Sequence, residues 1–195
     1  MAKALANQTD EELIAEFQGD NEAAFTLLVG RYKDQLTNFV FRFIGDWDEC
    51  NDVVQETFVR VYRRRHAYKP VAKFSTWIYT IATNLAKTSL RRRKLRGLFS
   101  FNPVNREEQE RETEIPDESA RTDLRVESAM KQERIQKALD ALKGKYKEVI
   151  VLREIQELSY EEIAAVTGLN IGTVKSRINR ARTQLQEMLR DIWDD

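Results

Sequence analysis

Residues 159–182 read SYEEIAAVTGLNIGTVKSRINRAR, and this stretch decides the fold. Ser159 and Glu162 stand at capping-box spacing, which predicts the start of a short helix carrying Ile163, Ala164 and Val166 on one face. Gly168 supplies a turn, because a left-handed backbone costs glycine little. Asn170 or a neighbour then caps a second helix, whose stripe Val174, Ile178, Ala181, Leu185 and Leu189 faces inward. The small side chains of Ala164 and Ala165 allow the two helices to cross closely. This is the layout of a helix-turn-helix that reads duplex DNA. Lys175, Ser176, Arg177, Asn179, Arg180 and Arg182 point away from the apolar stripe. The first turns of that helix, from Thr173 onward, are the part that enters a major groove, where such side chains meet base edges and phosphates.

Upstream lies a second stretch of opposite character. Residues 57–106 contain 13 Lys or Arg and no Asp or Glu. Interleaved with the cations are Phe58, Tyr62, Tyr68, Phe74, Trp77, Tyr79, Phe99 and Phe101. Cations hold phosphates and flat rings take up unstacked bases, so this region reads as a surface for unpaired nucleic acid. The net charge of zero for the 195 residues conceals the layout: −8 over residues 1–56, +13 over 57–106, −6 over 107–130 and +1 over 131–195.

Periodicity predicts an all-α protein, in keeping with only 7 Gly and 3 Pro. Asp10 is expected to cap a first helix with Leu13, Ile14 and Phe17 inward, and Asn21 a second that runs from Phe25 to Phe43. A third is expected from about Asp48, with Val54, Phe58, Val61 and Tyr62 inward, and a fourth from Ser75 to about Arg96, with Ile78, Ile81 and Leu85 inward. From Gly97 the pattern fails, two prolines appear and five Glu cluster between Glu107 and Glu114. Periodicity returns at Met130. The expected organisation is therefore an N-terminal helix bundle over 1–97, an extended acidic linker over 98–129 and a C-terminal helix-turn-helix domain over 130–195.

Cys50 is the sole cysteine and His66 the sole histidine, so an internal disulfide is impossible and zinc-site spacings are absent. No catalytic constellation, metal site or cofactor is expected. No apolar run approaches the roughly 20 residues that span a membrane, and the first ten residues lack a signal-peptide core, so a cytoplasmic location without direct membrane insertion is expected.

Two nucleic-acid surfaces, one for unpaired bases and one for duplex, suit a factor that finds a promoter and holds it open. The chain resembles the extracytoplasmic-function (ECF) sigma factors of bacterial RNA polymerase. Residues 52–63, DVVQETFVRVYR, look like the family's polymerase-clamp helix; residues 74–93, FSTWIYTIATNLAKTSLRRR, look like its −10 reader; residues 159–182 look like its −35 reader. The resemblance implies that Asp52, Gln55, Glu56 and Val59 dock on the clamp coiled coil of the largest polymerase subunit. It implies that Asn84 captures a base flipped from the single-stranded −10 element. The loop AYKPVAK, residues 67–73, is expected to form the pocket, with Tyr68 as a stacking platform and Lys69 and Lys73 on phosphates. Trp77 lies at the melting fork or in the core, and Lys87 is a further −10 candidate. Arg91, Arg92, Arg93 and Lys94, with no acidic residue near them in sequence, are expected to grip the upstream backbone. Thr173, Lys175, Ser176, Arg177, Asn179 and Arg180 are the candidates for the duplex −35 element. The linker is expected to thread the polymerase cleft, and an anti-sigma factor to be a further partner. A helix-turn-helix regulator acting without polymerase, a recombinase or nuclease, and a protein-interaction scaffold are the rival readings.

Overall fold

The computed structural model describes residues 5–99 and 122–190. The acidic cluster 107–114, with Phe101 and most of the expected linker, lies outside the described residues.

Helix α1 (Asp10–Gln18) begins one residue earlier in chemistry than the sequence suggests. Thr9 is its cap: the Thr9 hydroxyl accepts from the Glu12 N–H at 3.2 Å and the Glu12 carboxylate accepts from the Thr9 N–H at 2.7 Å. Asp10, the expected cap, is instead the first helical residue, and it accepts from Arg31 at 2.7 Å and from the Tyr32 hydroxyl at 2.5 Å. Helix α2 (Glu22–Ile44) buries Leu28, Tyr32, Leu36, Phe39, Val40 and Phe43 and stops at Gly45, whose φ of 76° closes the helix in the left-handed region. Asp46 caps helix α3 (Trp47–Arg63) by accepting from the Glu49 N–H at 3.0 Å. A single 3-10 turn (Arg65–Ala67) and the loop to Lys73 lead into helix α4 (Phe74–Phe99). Tyr62, expected inward, is 39% exposed: its ring covers Phe17 and Phe25 from outside, and its hydroxyl donates to Glu22 at 2.7 Å.

Among the described residues, the C-terminal module has four helices: α5 (Thr122–Ala141), α6 (Gly144–Glu154), α7 (Tyr160–Thr167) and α8 (Ile171–Met188). Residues 122–129, which the sequence puts in the linker because periodic apolar residues start only at Met130, are the first turns of α5, since a helix can begin in a polar segment. Every residue from Tyr146 to Leu152 on α6 is buried, so α6 is the central rod of the module. It packs on α8 and α7, and also reaches across to α2 of the N-terminal module. The longest interface between modules is that of α4 with α7. The buried apolar residues of both modules form one contiguous cluster, from Leu13 to Ala181. The two modules are thus packed on each other, an arrangement that charge and periodicity do not announce.

Candidate nucleic-acid interface

Helix α4 carries the expected −10 reader on its outer side. Asn84 is exposed, and so are Arg91, Arg92 and Lys94, which form no ion pair among the described residues; Lys69 is likewise exposed in the preceding loop. Two expectations change, for Tyr68 and Arg93, and one of the two alternatives for Trp77 is taken. Tyr68 is buried, wedged against Phe74 and Trp77 at ring distances of 5.9 and 5.5 Å, and its hydroxyl donates to the Ala72 carbonyl at 2.8 Å. It shapes the loop from inside and offers no open face for stacking. Trp77 is half-buried and packs on Tyr68 and Phe74, so it belongs to the core. Arg93 does have an acidic neighbour: Glu49, at the start of α3, lies 3.9 Å from it and 3.1 Å from Arg96, and accepts from the Ser89 hydroxyl at 2.8 Å. Arg93 also donates to the Ile44 carbonyl at 3.0 Å, so it ties α4 to the end of α2.

Lys73 and Lys87 are occupied as well. Lys73 pairs with Glu162 of α7 at 2.8 Å, and Lys87 with the buried Glu148 of α6 at 2.5 Å. Between them, the buried Tyr79 hydroxyl donates to the amide oxygen of Gln156, and the Gln156 amide nitrogen donates to the Gln35 backbone carbonyl at 3.5 Å. The bond to Lys73 holds the Glu162 carboxyl below its ordinary value, and the same bond raises Lys73. Sequence reading missed Glu49, Glu148, Gln156 and Glu162 as partners of the basic stretch, since none lies within it.

The four clamp-helix residues Asp52, Gln55, Glu56 and Val59 come together in a groove of about 1030 Å³ between α3 and α4. Val53 and Leu95 supply apolar wall, and Arg92 and Arg96 line the opposite side. Glu56 pairs with Arg60 one turn on, at 2.8 Å, whereas Val59 is 40% exposed. An exposed apolar residue flanked by carboxylates on a rigid helix is the chemistry of a docking face for a partly basic partner helix.

The helix-turn-helix is built as its spacing implies. Ser159 and Glu162 form the reciprocal capping box at 3.1 and 2.8 Å, Gly168 has φ 71°, and Asn170 caps α8 by accepting from the Thr173 N–H at 2.7 Å. Val174, Ile178 and Ala181 are fully buried. Opposite them, Lys175, Ser176, Asn179 and Arg180 are exposed on one surface, with Thr173 and Arg177 half-buried at its border. The Ser176 hydroxyl donates to the Thr173 carbonyl at 3.0 Å. Two tyrosines hold cations of this surface. Lys175 and Arg153 lie 5.6 and 5.1 Å from the centre of the Tyr160 ring, and the neighbouring Arg180 guanidinium holds the Tyr146 phenol below its ordinary value. Arg182 is bound by Glu154 through two nitrogens at 2.7 and 3.0 Å, an ion pair that staples α8 to α6.

Comparison with known proteins agrees with this geometry. Residues 28–96 match sigma-70 region 2 and residues 132–185 match sigma-70 region 4. The chain is 35% identical over 175 residues to the ECF RNA polymerase sigma factor SigW of Bacillus subtilis, covering 90% of this chain and 93% of that protein. Among solved structures, CnrH in complex with the cytosolic domain of CnrY aligns with a TM-score of 0.70 at 27% identity, over 93% of this chain and 97% of the other. The sigma factor RpoE of Bartonella quintana, in complex with the anti-sigma factor NepR, aligns at 0.65 and 27% identity, over 85% and 96%.

Proposed function

The chain belongs to the ECF sigma factors of bacterial RNA polymerase, and from that premise we propose which of its residues carry each step of promoter recognition. It binds core polymerase, recognises promoter DNA and acts in transcription initiation. The proposed docking face for the clamp coiled coil is the groove that gathers Asp52, Gln55, Glu56 and Val59. The proposed −35 contacts are Lys175, Ser176, Asn179 and Arg180, with Thr173 and Arg177 at the edge. The proposed −10 contacts are Asn84 and the cations Lys69, Lys73, Lys87, Arg91, Arg92 and Lys94; Tyr68 and Trp77 support that surface from within, and the exposed Arg93 ties α4 to the end of α2.

The mechanism needs no catalysis by the chain itself. The helix-turn-helix fixes the register on duplex DNA, and the α4 face binds the −10 strand only when it is unpaired. A site with affinity for the open form alone shifts the population toward opening. Flipping one base costs a few kcal/mol of stacking, which contacts such as the Asn84 amide must offset. A cytoplasmic location follows from the partner, and an anti-sigma factor is a proposed regulator, since both solved relatives named above are bound to an inhibitor or a second protein domain. The observation that carries the reading is that the exposed Arg91, Arg92 and Lys94 share one helix with Asn84, apart from the buried aromatics that shape it. The test is transcription by core polymerase with Asn84→Ala on double-stranded and pre-melted promoters. Impaired opening that a pre-melted promoter restores supports the assignment; wild-type activity on both templates removes it.

A further inference from the structure

Helix α1 lies outside the residues that match either sigma-70 region, yet it and the turn after it send three side chains to the ends of the loop 67–73. The Gln18 amide nitrogen donates to two backbone carbonyls, that of Arg65 at 2.7 Å and that of Tyr68 at 3.1 Å. It thereby spans the 3-10 turn and fixes the direction in which the chain leaves it. The Glu11 carboxylate accepts from the Phe74 N–H at 2.9 Å, which gives the first helical donor of α4 a partner. Asp20, at φ 67°, accepts from the Arg65 guanidinium at 2.7 Å, and that guanidinium lies 5.2 Å from the centre of the Phe17 ring. A fourth tie is internal to the loop: the Tyr68 hydroxyl, donating to the Ala72 carbonyl at 2.8 Å, closes the tip into a ring. Between these ties Lys69 to Lys73 are all exposed, Val71 at 90%. Burial therefore does not hold the tip. Ordering its backbone costs entropy at every residue, and the bonds at its two ends are what oppose that cost.

We propose that α1 is the frame of the −10 base pocket and Gln18 its positioning residue: two bonds from one amide hold the loop 67–73 in the shape that selects the captured base. The proposal rests on the assignment of that loop and α4 as the −10 face, and adds what sets the selectivity of the face. Reading a base edge requires the polar groups of a pocket to be held within roughly 0.5 Å of their working positions. A loop ordered beforehand also incurs no ordering cost when the base arrives. The amide of Gln18 suits the task because its nitrogen has two donors, so one side chain satisfies two acceptors. An apolar chain of similar length leaves both carbonyls to water and frees the loop to move. Helix α1 is itself a rigid support: Leu13, Ile14 and Phe17 are buried, and the reciprocal capping box of Thr9 and Glu12 fixes its start.

The experiment uses holoenzyme assembled from core polymerase and the full chain, on a promoter library with a random duplex −35 segment and a random pre-melted −10 segment. Transcripts that carry a barcode for their template are sequenced, so base preference is read at every position. A wrong base at a selected position is expected to cost the wild type roughly five- to a hundredfold. Gln18→Met is expected to cut that ratio at least about threefold at the captured position, with the −35 preferences unchanged. Tyr68→Phe keeps the ring, removes the tie to Ala72 and is expected to act in the same direction. A merely structural defect lowers transcription from every template alike and leaves both sets of preferences in place. Wild-type −10 preferences in Gln18→Met overturn the proposal; where that variant does not fold, wild-type −10 preferences in Tyr68→Phe overturn it. Asn84→Ala in the same library reads the assignment of α4 by itself. A lowered −10 ratio there, beside an unchanged one in Gln18→Met, keeps the assignment and removes the frame; an unchanged ratio in Asn84→Ala removes the assignment.

Discussion

Gly168→Ala isolates the turn that sets the helix-turn-helix angle. Gly168 has φ 71°, its N–H donates to the Ala164 carbonyl at 2.9 Å, and nothing lies within 4 Å of where a Cβ would sit. The penalty is therefore conformational and not steric. A left-handed L-residue costs roughly 1–2 kcal/mol. Loss of glycine's freedom in the unfolded chain returns about 0.4–1 kcal/mol. The net destabilisation is about 1 kcal/mol, a factor of about five in the folded-to-unfolded ratio. Gly168→Asn is expected to cost less, because Asn tolerates the left-handed region. Gly45→Ala is the companion: φ is 76°, but the new Cβ meets the Asp140 carboxylate at 3.2 Å, across the junction of the modules. Its loss should equal or exceed that of Gly168→Ala, and the excess measures how firmly Asp140 is held by Lys147 at 2.6 Å. Urea unfolding of the full chain, followed by circular dichroism, gives all three values. A Gly168→Ala loss below about 0.3 kcal/mol, or Asn costing as much as Ala, would refute the strain argument.

Two further outcomes are expected. Burial pushes the Cys50 thiol up to about 11 from an ordinary 9.0. The folded state thus keeps a proton that the unfolded state loses, and stability present below pH 9 declines as pH rises toward 11. Cys50→Ala should flatten that part of the profile in urea titrations from pH 8 to 11; an identical slope would count against it, since the buried Tyr32 and Tyr79 act in the same direction only above about pH 10. Tyr160→Leu keeps the contact with the core but removes the ring from Lys175 and Arg153, about 0.5–1 kcal/mol each. Protection of the −35 element by holoenzyme should weaken about three- to fivefold with Tyr160→Phe near wild type; equal loss in both variants would place the effect in the hydroxyl.

The elements that local chemistry controls were legible. The capping box at Ser159, the glycine stop at 168 and the stripe Val174, Ile178, Ala181 each depend on neighbours within one or two turns. The same holds for the clamp-helix set, whose i, i+3, i+4 and i+7 spacing puts Asp52, Gln55, Glu56 and Val59 along one groove. Less legible were the aromatics. Tyr68 and Trp77 look like stacking rings in a basic stretch, yet whether a ring is open or buried depends on what folds over it, and Phe74 closes over both.

Charge shows the division most clearly. The sequence by itself determined that residues 57–106 hold 13 cations and no carboxylate, and that the chain is helical with a duplex reader at its end. Only the tertiary structure decided which cations stay free. Glu49 is drawn to Arg93 and Arg96, Glu148 to Lys87 and Glu162 to Lys73, while Lys69, Arg91, Arg92 and Lys94 remain exposed. The physical reason is that helix periodicity acts over a few residues, whereas an ion pair forms wherever packing brings two side chains within about 4 Å, whatever their separation along the chain.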